Sequence, residues 1–313
     1  MCWEPACSIE ALQLRARILA GIRAFFAGRD VMEVETPLLS ASTATDPGLA
    51  SFEVETPGRR FLLTSPEPHM KRLLAAGSGP IYQICRAFRA AEQGGRHNPE
   101  FTMLEWYRPG FTLGQLEAEL LDLLAALGWQ GEVMHADYGE LLIRHAGIDP
   151  FEAPDESLLA LAARTGDMNP GLLDRSAALD LLFSHCVEPA LAEKPAVIVS
   201  GYPAAQAALA RTTRNARGHE VALRFELYLN GLEIANAYDE LADPAEQARR
   251  ARADNAARRM AGLPEIPEDR LFLEAVSRMP AASGIALGVD RLIMVLGGYS
   301  RLDQVLAFPF DRA

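Results

Sequence analysis

Lysine is scarce in this 313-residue chain: Lys71 and Lys194 are the only two. Neither follows a glycine, so the Gly-Lys-Ser/Thr phosphate loop is excluded. Gly-x-Gly-x-x-Gly is also missing, so a nucleotide bound here is held by neither common glycine-loop device. Cysteine is sparse too. Cys2, Cys7, Cys85 and Cys186 form no Cys-x-x-Cys, which argues against a zinc site or a disulfide framework and for a reducing compartment. The six histidines show no ligand spacing. With no run of about 18 apolar residues, no membrane span is expected. The opening MCWEPACSIE lacks a basic stretch followed by an apolar one, so an unprocessed, cytoplasmic chain is expected. Acidic residues outnumber basic ones, 42 to 30, and the net charge of −12 advertises no general affinity for nucleic acid.

What is present reads as a folded α+β protein. Hydrophobic residues make up 49%, enough for a substantial core. Residues 8–29 carry apolar side chains at roughly helical spacing, with Ser8 placed to cap. VMEVETP reads as a strand stopped by Pro37, FLLTS as a strand, and PEPHMKRLLAAG as a helix with proline near its start. IYQICRAFR and EFTMLEWYR read as an antiparallel pair joined by a polar loop. Residues 112–129 read as a helix. A stretch at about 135–195 is Ala/Leu-rich and reads as an inserted helical region within one domain spanning 1–313. AVIVS and 221–238 return to strand, 243–262 is a charged helix, LFLEAVSRM another helix, and SGIALGV a last strand running into helix DRLIMVLG. Strands joined by hairpins, with helices elsewhere, argue for an antiparallel sheet flanked by helices.

Three constellations carry candidate chemistry. Asn230-Gly231 between two β-rich runs predicts a two-residue turn, with Tyr228 facing Glu233 and Glu226 opposite Ala235. Glu226 and Glu233 then share a face as diagonal neighbours. Such a pair either flanks a cation, for which magnesium bridging phosphates is suited, or is an ordinary acidic pair facing solvent. Asn236 and Glu240 do not fit simple alternation with that face. The second constellation is FRAAEQGGRHNPEFTMLEWY. Its Arg89, Arg96, His97, Asn98 and Phe101 suit a polyphosphate and a stacked base, or else form a surface turn. The third is Arg291 at a helix start, where anions are favoured.

Together, VMEVETPLL, FRAAEQGGRHNPEFTMLEWY and GIALGVDR resemble the three signature motifs of class II aminoacyl-tRNA synthetases. With GLEIANAYDEL, their order and spacing are most similar to the lysyl-tRNA synthetase subgroup. Two departures matter. The anticodon-binding barrel that lies ahead of the first motif in those enzymes is not expected here, and Ala286 stands where they have glycine. Both features, with HNPEFTMLEWYRP and SGIALGVDR, look like a truncated paralogous family, the elongation factor P–(R)-β-lysine ligases.

That resemblance implies ATP and magnesium as cofactors, (R)-β-lysine or lysine as substrate, and a lysine side chain of elongation factor P, not tRNA, as acceptor. It also implies a homodimer through the first motif. Arg89 would hold the α-phosphate and Arg291 the γ-phosphate. His97 and Asn98 would lie near the nucleotide, and Phe101 would stack on adenine. Ile234 and Gly288 would line the site, and Glu226 and Glu233 would hold the metal. Ser65, Pro66 and Glu67 would meet the amino end of the substrate; Tyr107 and Glu240 would meet its side-chain ammonium. The usual Arg-x-Glu of the second motif fails, because Ala91 stands there and Glu92 follows one step later; backbone atoms of Ala90 and Ala91 are the substitute. Ala286 is either the floor of the amino-acid pocket or simple strand packing. The rival activity is a free-standing enzyme that charges tRNA or forms another amide.

Overall fold

Ser8 starts the first helix by accepting a bond from the Ala11 N–H, and the apolar stripe Ile18, Ile22, Phe25 and Phe26 buries one side of it. The computed structural model describes residues 3–313, so Cys2 lies outside the described residues. The chain forms two compact units, one of residues up to 130 with 242–313, the other of 131–241. Along the chain the first unit contributes α1 (Ile9–Ala27), β1 (Met32–Glu33), β2 (Leu39–Ser40), β3 (Glu53–Val54), β4 (Arg60–Leu62), α2 (Glu67–Ala75), β5 (Ile81–Phe88), β6 (Glu100–Pro109) and α3 (Leu113–Ala126). The second contributes β7 (Val133–Asp137), α4 (Tyr138–Ala146), α5 (Asp155–Thr165), α6 (Arg175–Leu182), α7 (Glu188–Leu191), β8 (Ala196–Ser200), β9 (Thr212–Arg214), β10 (Glu220–Ala222), β11 (Arg224–Leu229) and β12 (Leu232–Asp239). The first unit resumes with α8 (Pro244–Met260), α9 (Arg270–Val276), β13 (Ala282–Gly288) and α10 (Val289–Gly297).

In the first unit, β5, β6 and β13 are antiparallel neighbours, and β1 adds to β5 in parallel. The strand expected to run to Pro37 is therefore short. It pairs only at Met32 and Glu33, with one further bond from the Val34 N–H to the Tyr82 carbonyl. Phe26 stacks on Tyr82, with ring centres 4.5 Å apart, and meets Trp106 edge-on, so α1 seals one face of β5 and β6.

In the second unit, β12, β11 and β8 are antiparallel and β7 joins β8 in parallel. Helices α4 to α7 fill the stretch read as helical, but residues 133–137 are a strand. These helices, with Phe183 in the turn that follows α6, pack Tyr138, Leu179 and Leu182 on Val197, Val199 and Tyr228 of the sheet. The fold is α+β with a mainly antiparallel pairing pattern. Cys7, Cys85 and Cys186 are free thiols. Among the described residues no helix is long and apolar enough to cross a membrane.

Candidate active site

Strand β6 is buried on both faces from Thr102 to Tyr107, yet it carries a carboxylate at its centre. Glu105 is 2% exposed. Ser65 Oγ donates to its Oε2 at 2.7 Å and Tyr107 OH to its Oε1 at 2.6 Å. Burial pushes the Glu105 carboxyl up, the nearby Glu67 pushes it further, and it reaches about 7. Glu67 opens α2, where Pro66 takes the cap position, and its N–H donates to Ser65 Oγ at 3.0 Å. The fully buried Lys71, one turn on, donates to Glu67 Oε1 at 2.5 Å. Ala286 on β13 lies directly opposite Glu105, and Gln83 on β5 lies opposite it on the other side. Cross-strand partners place their Cβ atoms about 5 Å apart on one face, so the Ala286 methyl adjoins the Glu105 side chain.

Ser65, Glu67, Tyr107 and Ala286 are thus brought together around a residue that the sequence reading passed over. A signal for Glu105 exists in EFTMLEWYR. A carboxylate inside an apolar strand needs partners, and alternation puts it on the face of Tyr107 two residues on.

The phosphate candidates of the first unit also converge in part. Arg89 follows β5; its Nη1 donates to Glu92 Oε1 at 3.2 Å, and its guanidinium carbon lies 5.2 Å from the Phe101 ring centre. Arg291 Nη2 meets His97 Nε2 at 2.5 Å, joining residues 194 positions apart. Gly288 ends β13 and caps α10, which presents Arg291. Two candidates are already engaged. Asn98 donates to the Glu100 carbonyl at 2.6 Å and accepts from the Phe310 N–H at 2.9 Å. The Ala90 N–H donates to the Ala50 carbonyl at 2.7 Å, which withdraws that donor from any adenine edge.

In the second unit the turn forms as expected, with positive φ at Asn230 and Gly231, and Tyr228 does face Glu233. The register beyond differs. A bulge inserts Ile234, so Glu226 pairs with Asn236 and Leu227 with Ala235. Glu226 opposite Ala235 is therefore corrected by one residue. The bulge reverses the alternation of β12 and brings Asn236 and Tyr238 onto the face of Glu226, Tyr228 and Glu233. It also gives Glu240, buried just beyond β12, the parity that simple alternation denied it. Ile234 itself is buried, 2% exposed.

Glu226 is held firmly. Arg224 pairs with its Oε1, while Tyr202 and Tyr228 donate to its Oε2 at 2.6 and 2.5 Å. Burial raises its carboxyl, Arg224 opposes that, and the neighbouring Glu233 raises it again. Glu226, Glu233, Tyr202 and Tyr228 border a cleft of about 440 Å³ that also meets Asp180 and Glu188. Among the described residues no group of three or more His, Cys, Asp or Glu is arranged to hold a metal. The donor set nevertheless suits magnesium, which typically takes one or two carboxylates and completes its shell with phosphates and water. The Asn236 Oδ1, buried with no hydrogen-bond partner on the same face, is a further hard oxygen for that role.

Residues 6–122 and 180–312 match the model of the class II tRNA synthetases (D, K and N). The chain belongs to the class II tRNA synthetase family. Within that family it is similar to proteins named elongation factor P–(R)-β-lysine ligase. The one from Edwardsiella ictaluri is 46% identical over 99% of this chain and 98% of its own. The Erwinia tasmaniensis protein is also 46% identical, with the same coverage, and that of Salmonella typhi is 44% identical. The family match leaves residues 123–179 between its two stretches, and α4 and α5 fall there.

Proposed function

We propose that this enzyme activates (R)-β-lysine, or lysine, with ATP and transfers the acyl group to a lysine side chain of elongation factor P. The observation that carries the reading is Glu105: a buried carboxylate, held by Ser65 and Tyr107 and faced by Ala286. Such a group recognises an ammonium, and the nearly full-length likeness to the named ligases supplies the substrate.

The first step forms a bond between a substrate carboxylate oxygen and the α-phosphorus of ATP, and pyrophosphate leaves. This chemistry needs positioning and charge neutralisation more than a protein nucleophile. Arg89 holds the α-phosphate and Arg291 the γ-phosphate; Phe101 stacks on adenine. His97 orients Arg291. Asn98 steadies the loop through its two backbone bonds, and the Ala90 carbonyl and Ala91 are left for the adenine edge. Gly288 and Ile234 line the nucleotide. Glu226 and Glu233 hold magnesium, with Arg224 and the two tyrosines fixing Glu226. The metal, when bound, neutralises phosphate charge. Ser65, Pro66 and Glu67 receive the amino end of the substrate, Tyr107 with Glu105 its ammonium, and Ala286 bounds the pocket.

In the second step the deprotonated acceptor amine attacks the acyl carbon, an amide forms, AMP leaves and a proton is released. The protein works in the cytoplasm, in keeping with its free thiols. It pairs as a homodimer through α1 and the segment to Pro37. Exposed apolar Ile9 on α1 and Met32 on β1 support these elements as the contact. Mass spectrometry of elongation factor P, incubated with enzyme, ATP and each lysine isomer, tests the activity. The expected result is one added β-lysyl group on the protein. Charging of tRNA without modification of the protein would replace the reading with the tRNA-charging alternative.

A further inference from the structure

Strand β13 stops at Gly288, opposite Met103 of β6. The next residue of β6, Thr102, lies past the end of that ladder, and its N–H needs another acceptor. It donates to Asp290 Oδ2 at 2.7 Å. Asp290 is the second residue of α10 and is 3% exposed. Its Oδ1 accepts from Arg15 Nη2 of α1. Arg15 also donates to the Val305 carbonyl, at 3.1 Å from Nη2 and 3.4 Å from Nε, and its Nη1 lies 3.4 Å from Thr102 Oγ1. Arg86 of β5 donates to the same hydroxyl at 3.1 Å. One buried carboxylate therefore ties the first turn of α10 to β6 and to α1.

The two ends of this tie are each one residue from a nucleotide candidate. Thr102 follows Phe101, and Asp290 precedes Arg291. A buried carboxylate is costly unless it is paired and hydrogen-bonded; here Arg15, the Thr102 N–H and the helix N-terminus all compensate it. Apolar packing could join the same elements, but it would not fix their register as directional bonds do. We propose that Asp290, neutralised by Arg15, is a positioning residue for ATP: it holds the turn bearing Arg291 against β6 beside Phe101. This rests on the reading of Arg291 as a phosphate ligand. A displacement of about 1 Å at such a group costs on the order of a hundredfold in rate.

The test is ATP–pyrophosphate exchange with (R)-β-lysine. Asp290→Asn keeps an oxygen for the Thr102 N–H and loses the charge facing Arg15. Its KM for ATP should rise about tenfold, a fraction of the hundredfold ceiling for misplacement. The KM for (R)-β-lysine should stay within about twofold, because Glu105 and its partners do not touch the tie. Arg15→Lys, which cannot reproduce the forked contact, should shift KM for ATP in the same direction. Arg291→Ala alone must weaken ATP use. If it does not, the nucleotide reading fails and the proposal goes with it. In the Arg291→Ala background, adding Asp290→Asn should change KM for ATP less than about twofold, because residues acting as a unit are non-additive. A full, independent loss in that background, or equal rises in both KM values, would show that Asp290 only holds the fold together. Circular dichroism of each variant secures the comparison, and Arg15→Lys carries it if Asp290→Asn does not fold.

Discussion

Glu105 in the first unit and Glu226 in the second are both buried strand carboxylates. Each accepts from two hydroxyls, and each has its carboxyl raised above the ordinary value by burial and by a neighbouring glutamate. They differ in what faces the charge. Glu226 has the Arg224 guanidinium bonded to it. Among the described residues Glu105 accepts from Ser65 and Tyr107, while the Lys71 ammonium, hydrogen-bonded to Glu67, acts on Glu105 through its charge and partly offsets the rise. A buried charge that is already paired is fixed in place before any ligand arrives. A buried charge without a cation bonded to it is held ready for one that arrives with the substrate.

Breaking the neutralised member should have the largest effect. Arg224→Met leaves Glu226 buried without its cation and should destabilise the protein by about 3–5 kcal/mol, read from the shift in a denaturant melt. The loss should grow as pH rises above the ordinary Glu value, because the variant's Glu226 must then ionise uncompensated or hold its proton against the solution.

Glu105→Gln should behave in the opposite way. Folded wild type binds a proton at Glu105 that the unfolded chain does not, between about 4.5 and about 7. Stability therefore falls as pH rises through that window, and the amide should flatten this part of the pH–stability curve without lowering stability at pH 7. Activity should suffer instead. The KM for (R)-β-lysine in pyrophosphate exchange should rise about 10- to 100-fold, the value of a charge-assisted hydrogen bond, with KM for ATP little changed. A stability loss matching that of Arg224→Met would erase the contrast.

Ala286→Gly sharpens the comparison on the substrate side. Removing the methyl opposite Glu105 opens the pocket, so the preference for β-lysine over α-lysine should fall by about 10- to 200-fold in relative kcat/KM. Glycine in a strand should cost about 0.5–1 kcal/mol of stability, which lowers both activities alike and leaves their ratio to report the pocket. An unchanged ratio would make Ala286 a packing residue.

Much of this was legible in the sequence. Asn230-Gly231 announced its turn, Ser8 its cap, and the β5–β6 pair its antiparallel sense. The chain-wide motif order pointed to the family. The bulge at Ile234 was not legible, since nothing in GLEIANAY marks a bulge by composition, and bulges are set by packing across the sheet. The unplaced Asn236 and Glu240 were its only trace. Glu105 escaped because it lay inside a strand with its partners 40 residues upstream and two residues downstream. The engagement of the Ala90 N–H by Ala50 depends on a loop contact that no local pattern encodes.

The central claim is that the Glu105 carboxylate is kept for the substrate's ammonium, and proton exchange on binding measures it most directly. With its carboxyl raised to about 7 by burial and by Glu67, Glu105 holds a proton more readily than an ordinary glutamate, and an arriving ammonium should drive that proton off. Calorimetric titration of (R)-β-lysine at pH 7, in two buffers of different ionisation enthalpy, should report net proton release on binding, and Glu105→Gln should abolish it. Binding with no proton released, or the same release from the variant, would contradict the account.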